Sequence, residues 1–245
     1  MSTVRRFSYV DFTTVPQQAI IQKNLTAVMT ATDTQVNTFN VNGNEFEILQ
    51  IGAAASTAFT PSSTGWLLPI GATDGNGLAI CQGSTNIGPT KMKFTTGTDA
   101  FYLKVKLEQT VLADTDVIMV GFREAGTTQV TTTPATAKTD YDHKALFGVY
   151  TNAGAMATEV SNGAGVDVET VATNTSSTGV AMTLEVRINA DLTCEFKVDG
   201  TADTLATAAA STVTTGKVFV PHMIVVSTGA GAEKVELYTW ECGLQ

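Results

Sequence analysis

Charge is what this 245-residue chain has least of: 15% of its residues are Asp, Glu, Lys or Arg, against about 25% in an ordinary soluble domain. The basic side is the poorer one, with 14 Lys and Arg against 23 Asp and Glu, a formal net charge of −9 and a pI near 4.6. So few cations leave no excess to neutralise phosphates, which excludes nucleic acid as the main partner. A coiled coil would need far more Glu, Lys and Leu. A disordered acidic tail would lack the apolar runs described below. Cysteine is scarce as well: Cys81, Cys194 and Cys242 stand far apart, with no CxxC pair and no Cys/His cluster. That spacing gives neither a disulfide framework nor a structural zinc site, and the expectation is three free thiols in a reducing compartment.

Long hydrophobic runs are also missing. Arg5 and Arg6 near the start are followed by Asp11 and not by an apolar stretch, so no signal peptide is expected and the chain is read as soluble and made without export. The longest uncharged stretch, 48–73, is broken by Pro61, Pro69 and many Ser, Thr and Gly, and cannot cross a bilayer as a helix. Helix signals are nearly absent. One short candidate lies at 16–25, with Thr14 as a cap and Ile20, Ile21 and Leu25 as its apolar face; beyond it Thr and Asn compete for the backbone.

What the chain has in abundance is Thr (42), Ala (29) and Gly (21), set between segments that read as strands. In 101–108, Phe101, Leu103, Val105 and Leu107 alternate with charged residues, the signature of a strand with one buried face. Residues 182–188 repeat it, with 182, 184, 186 and 188 facing inward. A tight link leads to 193–198, where 194, 196 and 198 face inward, and Asp199-Gly200 turns the chain again. The runs 117–122, 145–150 and 218–226 are apolar on both faces and belong in the middle of a sandwich, covered on each side. A last alternating run occupies 234–241. Thr- and Gly-rich stretches at 126–140, 161–179 and 201–216 read as loops. The fold class expected is therefore all-β, an antiparallel β-sandwich, with 75–245 as the sandwich domain and 1–74 as an N-terminal arm or small β subdomain.

Catalytic constellations do not emerge. The only imidazoles are His143 and His222. His222 follows Pro221 in an apolar run and reads as a satisfied core or edge histidine; His143, after Asp140 and Asp142, reads as a solvated loop residue. There is no GxSxG elbow, no phosphate-binding GxxxxGK[ST] and no GxGxxG between a strand and a helix. Sandwich-type glucanases carry their carboxylates as ExDxxE on one strand, and no such triplet occurs. The nearest approaches, Glu45 with Glu47 and Glu236 with Glu241, read as the outward half of alternating strands. Asp74, Asn76, Asp114, Asp116, Asp140 and Asp142 have oxygen ligands suited to calcium but form no calcium-loop motif, so loop carboxylates without a metal are expected. No catalytic, cofactor or metal residue is assigned. The one basic–aromatic cluster, Arg5, Arg6, Phe7 and Tyr9, is the candidate partner-binding segment, with a solvated terminus as its alternative.

From Gly77 onward the order of elements resembles a known family. The segments that carry the likeness are 77–83, 93–105, 120–124, 144–149 and the hairpin ending in Val198, Asp199 and Gly200. They are followed by a long loop, the Val-Pro strand around Pro221 and the closing 235–245 with Trp240 and Cys242. Together they resemble the concanavalin A-like (legume-lectin/laminin-G type) jelly roll in the version found in structural proteins of tailed bacteriophages. The resemblance covers about 75–245. It implies a non-enzymatic virion protein, first of all a capsid decoration (cement) protein on the major capsid protein. It also implies assembly in the host cytoplasm and a homo-oligomer, with a trimer favoured, and it implies no cofactor. A head or tail fibre, or a lectin-like module reading host glycans, is the alternative; Trp66 and Trp240 are then the only indoles for stacking on sugars. Long Thr-rich loops with little charge fit a surface covered by neighbouring subunits.

Overall fold

The computed structural model describes residues 7–13, 36–41, 44–51, 60–61, 65–69, 77–82, 92–110, 117–125, 142–151, 155–163, 167–202, 212–226 and 234–245. The expected helix at 16–25 and loop at 126–140 lie outside these residues. Among the described residues every regular element is a strand. In chain order they are β1 (Phe7–Asp11), β2 (Val36–Val41), β3 (Asn44–Ile51), β4 (Thr60–Pro61), β5 (Trp66–Pro69), β6 (Gly77–Cys81), β7 (Phe94–Thr95), β8 (Phe101–Gln109) and β9 (Val117–Glu124). There follow β10 (His143–Thr151), β11 (Ala155–Asn162), β12 (Asp167–Thr175), β13 (Ala181–Ile188), β14 (Cys194–Val198), β15 (Thr201–Ala202), β16 (Val218–Val226) and β17 (Lys234–Leu244).

Two antiparallel sheets face each other as a jelly-roll sandwich. Sheet I runs β15-β14-β13-β8-β17-β5-β4, with β1 also paired to β17; sheet II runs β12-β11-β10-β9-β16-β6-β3-β2, with β7 paired to β16. The alternation read from the sequence sets which side chains enter the core. Phe101, Leu103, Val105 and Leu107 of β8 point inward, as do Met182, Leu184, Val186 and Ile188 of β13, and they meet Ile118, Val120 and Phe122 of β9. Phe101 stacks on Phe94 at 4.8 Å and meets Phe122 edge-on at 4.8 Å, geometries that suit the ring quadrupole.

Strand β17 holds Leu237 and Trp240, three residues apart, in the same core. Strict alternation forbids this. A bulge resolves it: the register on β8 shifts between Leu237 and Thr239, so one extra residue is absorbed at Tyr238. The same shift places Glu236 and Glu241 together on the outer face. The β13–β14 hairpin follows the expected pairing, Ile188 opposite Cys194. Its exit is a tight turn in which Asp199 (φ 50°) and Gly200 (φ 81°) are both left-handed, as a type I′ turn requires.

The described strands within 1–74 complete both sheets. β1 and β5 lie end to end along one edge of β17, and β3 pairs with β6. Val10, Phe12, Val41, Phe46, Trp66 and Leu68 belong to the same core as the strands beyond residue 75. A buried polar chain fastens them there. Gln82, just after β6, donates from Nε2 to Ser8 Oγ (2.5 Å), and Ser8 donates to Asn44 Oδ1 (2.8 Å). Gln82 Oε1 accepts from Trp240 Nε1 (2.8 Å) and from the Cys242 thiol (3.0 Å). β1, β3, β6 and β17 are thus joined across both sheets by one amide.

The stretch 161–179, expected as a loop, contains β12, which pairs with β11. β11 shows no alternation of burial: Met156 and Val160 enter the core between the sheets, and Ala157, Glu159 and Ser161 on its other side are buried too. Thr, Ser and Asn dilute the apolar signal of both strands, and cross-strand pairing, not intrinsic pattern, fixes them.

Candidate functional site

Among the described residues, a concentration of chemically capable side chains lies on the outer face of sheet II. On β16, Phe219, Met223 and Val225 enter the core between the sheets, so Val220, His222, Ile224 and Val226 point the other way. The register then builds two rows across that face. In one, Glu47 of β3 lies beside Cys81, Cys81 beside His222, His222 beside Gly121, Gly121 beside Leu146 and Leu146 beside Glu159. In the next, Val220 lies beside Arg123, Arg123 beside Lys144 and Lys144 beside Ser161. Further along is an apolar patch of Ala79, Val117, Met119, Leu146, Ile224 and Val226. All these side chains except glycine are buried, which answers the runs that read as apolar on both faces.

Charge on this face is compensated internally. Lys144 Nζ sits 2.7 Å from Glu159 Oε1, with both side chains almost fully out of solvent. Arg123 donates from Nη1 to the Glu124 carbonyl at 3.0 Å. Burial pushes the Cys81 thiol up to about 11 and Glu47 adds to this, while Arg123 opposes them. His222 is held well below the usual imidazole range, first by burial and then by the charges of Arg123 and Lys144. At neutral pH the face therefore presents a neutral imidazole and a protonated thiol. The imidazole is a weak base and the thiol a weak nucleophile. Ser161 Oγ donates to the Asp142 carbonyl at 2.7 Å. As arranged, the cluster pairs buried charge, Lys144 with Glu159.

His143 is not a solvated loop residue. It opens β10 and is buried, with Nε2 3.9 Å from Glu124 Oε2, while Lys217 Nζ lies 3.1 Å from the other oxygen of Glu124. Its ring lies over Gly163 (φ 86°), where a Cβ would collide with it. The polar approach at 140–142 hid the strand start. His222 is buried, as its apolar run suggested, but on the outer face of sheet II and not in the core between the sheets.

A second group sits on the outer face of sheet I. Glu108 and Glu236 are directly opposite one another, and the Tyr238 hydroxyl bridges them, 2.7 Å from Glu108 Oε2 and 3.3 Å from Glu236 Oε2. Like charges placed this way repel, and the shared phenol offsets part of that cost. Beside it, Tyr102 donates to Glu241 Oε1 at 2.6 Å. The pairing of Glu108 with Glu236 was invisible in the sequence, since it depends on the register of β8 with β17. Glu45 lies on β3 with its side chain outside the described residues, and Glu47 is buried.

Of the basic–aromatic segment, Arg5 and Arg6 lie outside the described residues. Phe7 and Tyr9 project side by side from β1 with 54% and 49% of their surface exposed. Trp66 and Trp240 are in the core, at 2% and 0%. Asp74, Asn76, Asp114, Asp116 and Asp140 lie outside the described residues. Among the described residues no group of three His, Cys, Asp or Glu is arranged to hold a metal ion, and no helix is long and apolar enough to cross a membrane.

No protein-family model matches the chain, and no curated protein matches it. Solved structures do, at the level of fold. The carbohydrate recognition domain of Emp47p is 11% identical over 94% of this chain and 98% of that one, with a TM-score of 0.53. An alginate lyase from Pseudomonas aeruginosa is 10% identical over 78% of this chain and 88% of its own, at 0.51. The globular domain of T. cruzi calreticulin is 9% identical over 97% and 88%, at 0.50. Lectin-type recognition domains and a lyase share this sandwich, so the fold is concanavalin A-like, and one fold hosts binding and catalysis alike.

Proposed function

We propose that this chain is a non-enzymatic structural protein of a tailed-bacteriophage virion, a decoration protein that binds and stabilises the shell of major capsid protein. The observation that carries this reading is where the reactive groups are spent. His222, Cys81, Arg123, Lys144 and Glu159 are buried and compensate one another. Both indoles are core residues, while the exposed rings of Phe7 and Tyr9 stand on a strand next in sequence to Arg5 and Arg6. Buried charge serving rigidity, with aromatic and Arg residues left for contact, suits a protein that works by docking. The resemblance over 75–245 points the same way. Mass spectrometry of purified particles tests it: the protein should be present in fixed ratio to the major capsid protein, and particles stripped of it should break at lower temperature. Its absence from particles refutes the reading.

Glycan recognition is the second reading, favoured by the carbohydrate recognition domain of Emp47p among the fold neighbours. With both tryptophans buried, stacking would fall to Phe7 and Tyr9. Presence of only a few copies per particle, with glycan-array binding lost in Tyr9→Ala, would favour it over decoration.

A further inference from the structure

We propose that two copies of this chain pair face to face through the outer side of sheet I, about a two-fold axis running along the strands between β8 and β13. This inference is independent of any virion role. It starts from one row of charges. Register places Glu241 of β17 beside Lys104 of β8, Lys104 beside Glu185 of β13, and Glu185 beside Lys197 of β14. The residues flanking each of them along its strand pack on the core, so all four side chains stand on the outer face. Across four strands the signs read minus, plus, minus, plus.

Opposite charges on neighbouring strands usually stabilise a sheet by pairing across it. Here those cross-strand bridges are not made. Glu241 accepts from the Tyr102 hydroxyl at 2.6 Å, and Glu185 is bonded by Arg187 of its own strand. Lys197 Nζ sits 3.6 Å from Glu195 Oε2, again on its own strand. Lys104 stands between two carboxylates and is paired with neither. Next to it on β8, Lys106 is exposed, its ammonium 5.8 Å from the centre of the Tyr238 ring.

The occupant follows from the order of the signs. Reversed, the row reads plus, minus, plus, minus, and a two-fold axis along the strands midway between β8 and β13 lays that reversed row over the first. Glu241 then faces Lys197 of the second copy, and Lys104 faces its Glu185, each twice. In the adjoining row Tyr102 lies beside Arg187, and the same axis sets each tyrosine ring against the other copy's guanidinium, a favourable cation–π pair. Other placements put like charges together. An axis along β8 opposes Lys104 to itself and Glu241 to Glu185; one along β13 opposes Glu185 to itself. An axis between β17 and β8 drives Glu236 against Glu108, which share a row on those strands. One between β13 and β14 leaves Lys104 facing no carboxylate, and one across the strands sets every charge against its own copy. A two-fold interface must be self-complementary, and the β8/β13 axis makes this one so. Four strands and three rows cover roughly 400–600 Å² per copy, the low end for a specific pair, so the dimer is weak.

Sedimentation of the full chain tests it. At about 100 µM the protein should be a dimer that dissociates on dilution. Lys197→Glu should weaken it about tenfold or more, because a carboxylate then faces Glu241 at both ends, and Glu241→Lys should do the same. Mixed, the two variants should pair with each other as tightly as the parent pairs with itself, since each carries the charge the other lacks. Glu241→Lys also gives up the Tyr102 bond, so thermal melts must show each variant folded. If one does not fold, cross-linking of the parent decides. A zero-length carbodiimide link between Lys197 and Glu241 should form between copies; within one chain they stand three strand spacings apart, about 14 Å. A monomer at that concentration overturns the proposal. So does an oligomer indifferent to both variants, a mixture that pairs no better than either variant alone, or a cross-linked parent without that link.

Discussion

Replacing Gln82 by Leu removes a polar side chain that links β1, β3 and β17 through the interior, at nearly constant volume. Three groups lose a partner. The Trp240 indole N–H, 2.8 Å from Gln82 Oε1 in a fully buried site, becomes an orphan donor and has no second geometry to turn to. Such a group costs about 1–3 kcal/mol. Ser8 Oγ loses the proton it accepts but keeps its bond to Asn44 (2.8 Å), and the Cys242 thiol loses a weak bond. Together these add about 1 kcal/mol. The leucine recovers a little by removing a polar amide from the core. The expected net loss is about 2–4 kcal/mol, which for a chain of this size lowers Tm by about 5–15 °C.

Urea denaturation followed by tryptophan fluorescence measures it, because Trp240 reports on the site directly. A double-mutant cycle with Ser8→Ala separates the network from generic core damage: the two losses should fall short of additivity by about 1 kcal/mol or more. Hydrogen exchange should show the β1 amides opening first, since Gln82 ties that strand to the opposite sheet. A loss below about 0.5 kcal/mol, or strict additivity with Ser8→Ala, would refute the view that this amide fastens the N-terminal strand.

Three further outcomes are expected. Lys144→Met leaves the Glu159 carboxylate buried beside an apolar group, and urea titration should show a loss of about 3–5 kcal/mol; the double variant Lys144→Met, Glu159→Leu should regain most of it, and failure to do so would mean the pair is not the principal link. His222 resists protonation when folded, because burial and the charges of Arg123 and Lys144 hold its pKa well below 6.5, while Cys81 and Glu47 flank it in the same row. Its contribution is complete above pH 6.5 and is lost as pH falls below that value, because the unfolded chain takes up a proton that the folded one refuses. The slope reaches at most about 1.4 kcal/mol per pH unit, and His222→Asn should flatten stability between pH 6.5 and 5 relative to the parent. The thiols of Cys81, at about 11, and Cys194, at about 12, are protonated at pH 7.5 because burial raises both. Thiol reagents should therefore label them slowly in the native protein and all three cysteines rapidly in denaturant, and fast native labelling would contradict the burial.

Much of the sandwich was legible because period-two alternation is a local property. β8 and β13 carry it in their own residues, and the Asp199-Gly200 turn is fixed by which residues tolerate a left-handed backbone. Pairing is not local. Glu108 meets Glu236 only because β17 lies beside β8 in one register, and the bulge at Tyr238 that sets the phase of the last strand leaves no mark in composition. His143 was misread for a related reason. Its neighbours Asp142 and Lys144 are polar, yet Lys144 is buried against Glu159, a residue on a strand whose Thr, Ser and Asn concealed it. The cluster on the outer face of sheet II is hidden for the same reason: Glu47, Cys81, Arg123, Lys144, Glu159 and His222 sit on six different strands, scattered from 47 to 222, and only the register assembles them.

The way β1 is held bears on what its exposed rings can do. An interface strand that must be ordered on binding costs about 0.5–1.5 kcal/mol for each side chain immobilised, beyond the backbone. β1 is ordered beforehand by three independent means. It has a continuous ladder on β17, the Ser8 bonds to Gln82 and Asn44, and Phe12 packed on Trp66 with ring centroids 4.9 Å apart. All three act on even-numbered positions or on the β17 side. None uses Phe7 or Tyr9, whose rings are left exposed on a rigid strand. A short strand of this kind buries too little surface to associate tightly through area, so its preorganisation is what makes the two rings usable for contact. The Gln82→Leu variant should then weaken docking to the proposed capsid shell as well as stability, although Gln82 is itself buried. Equal affinity for shells in that variant, at a temperature where it remains folded, would separate the two roles and show that the β17 ladder alone suffices.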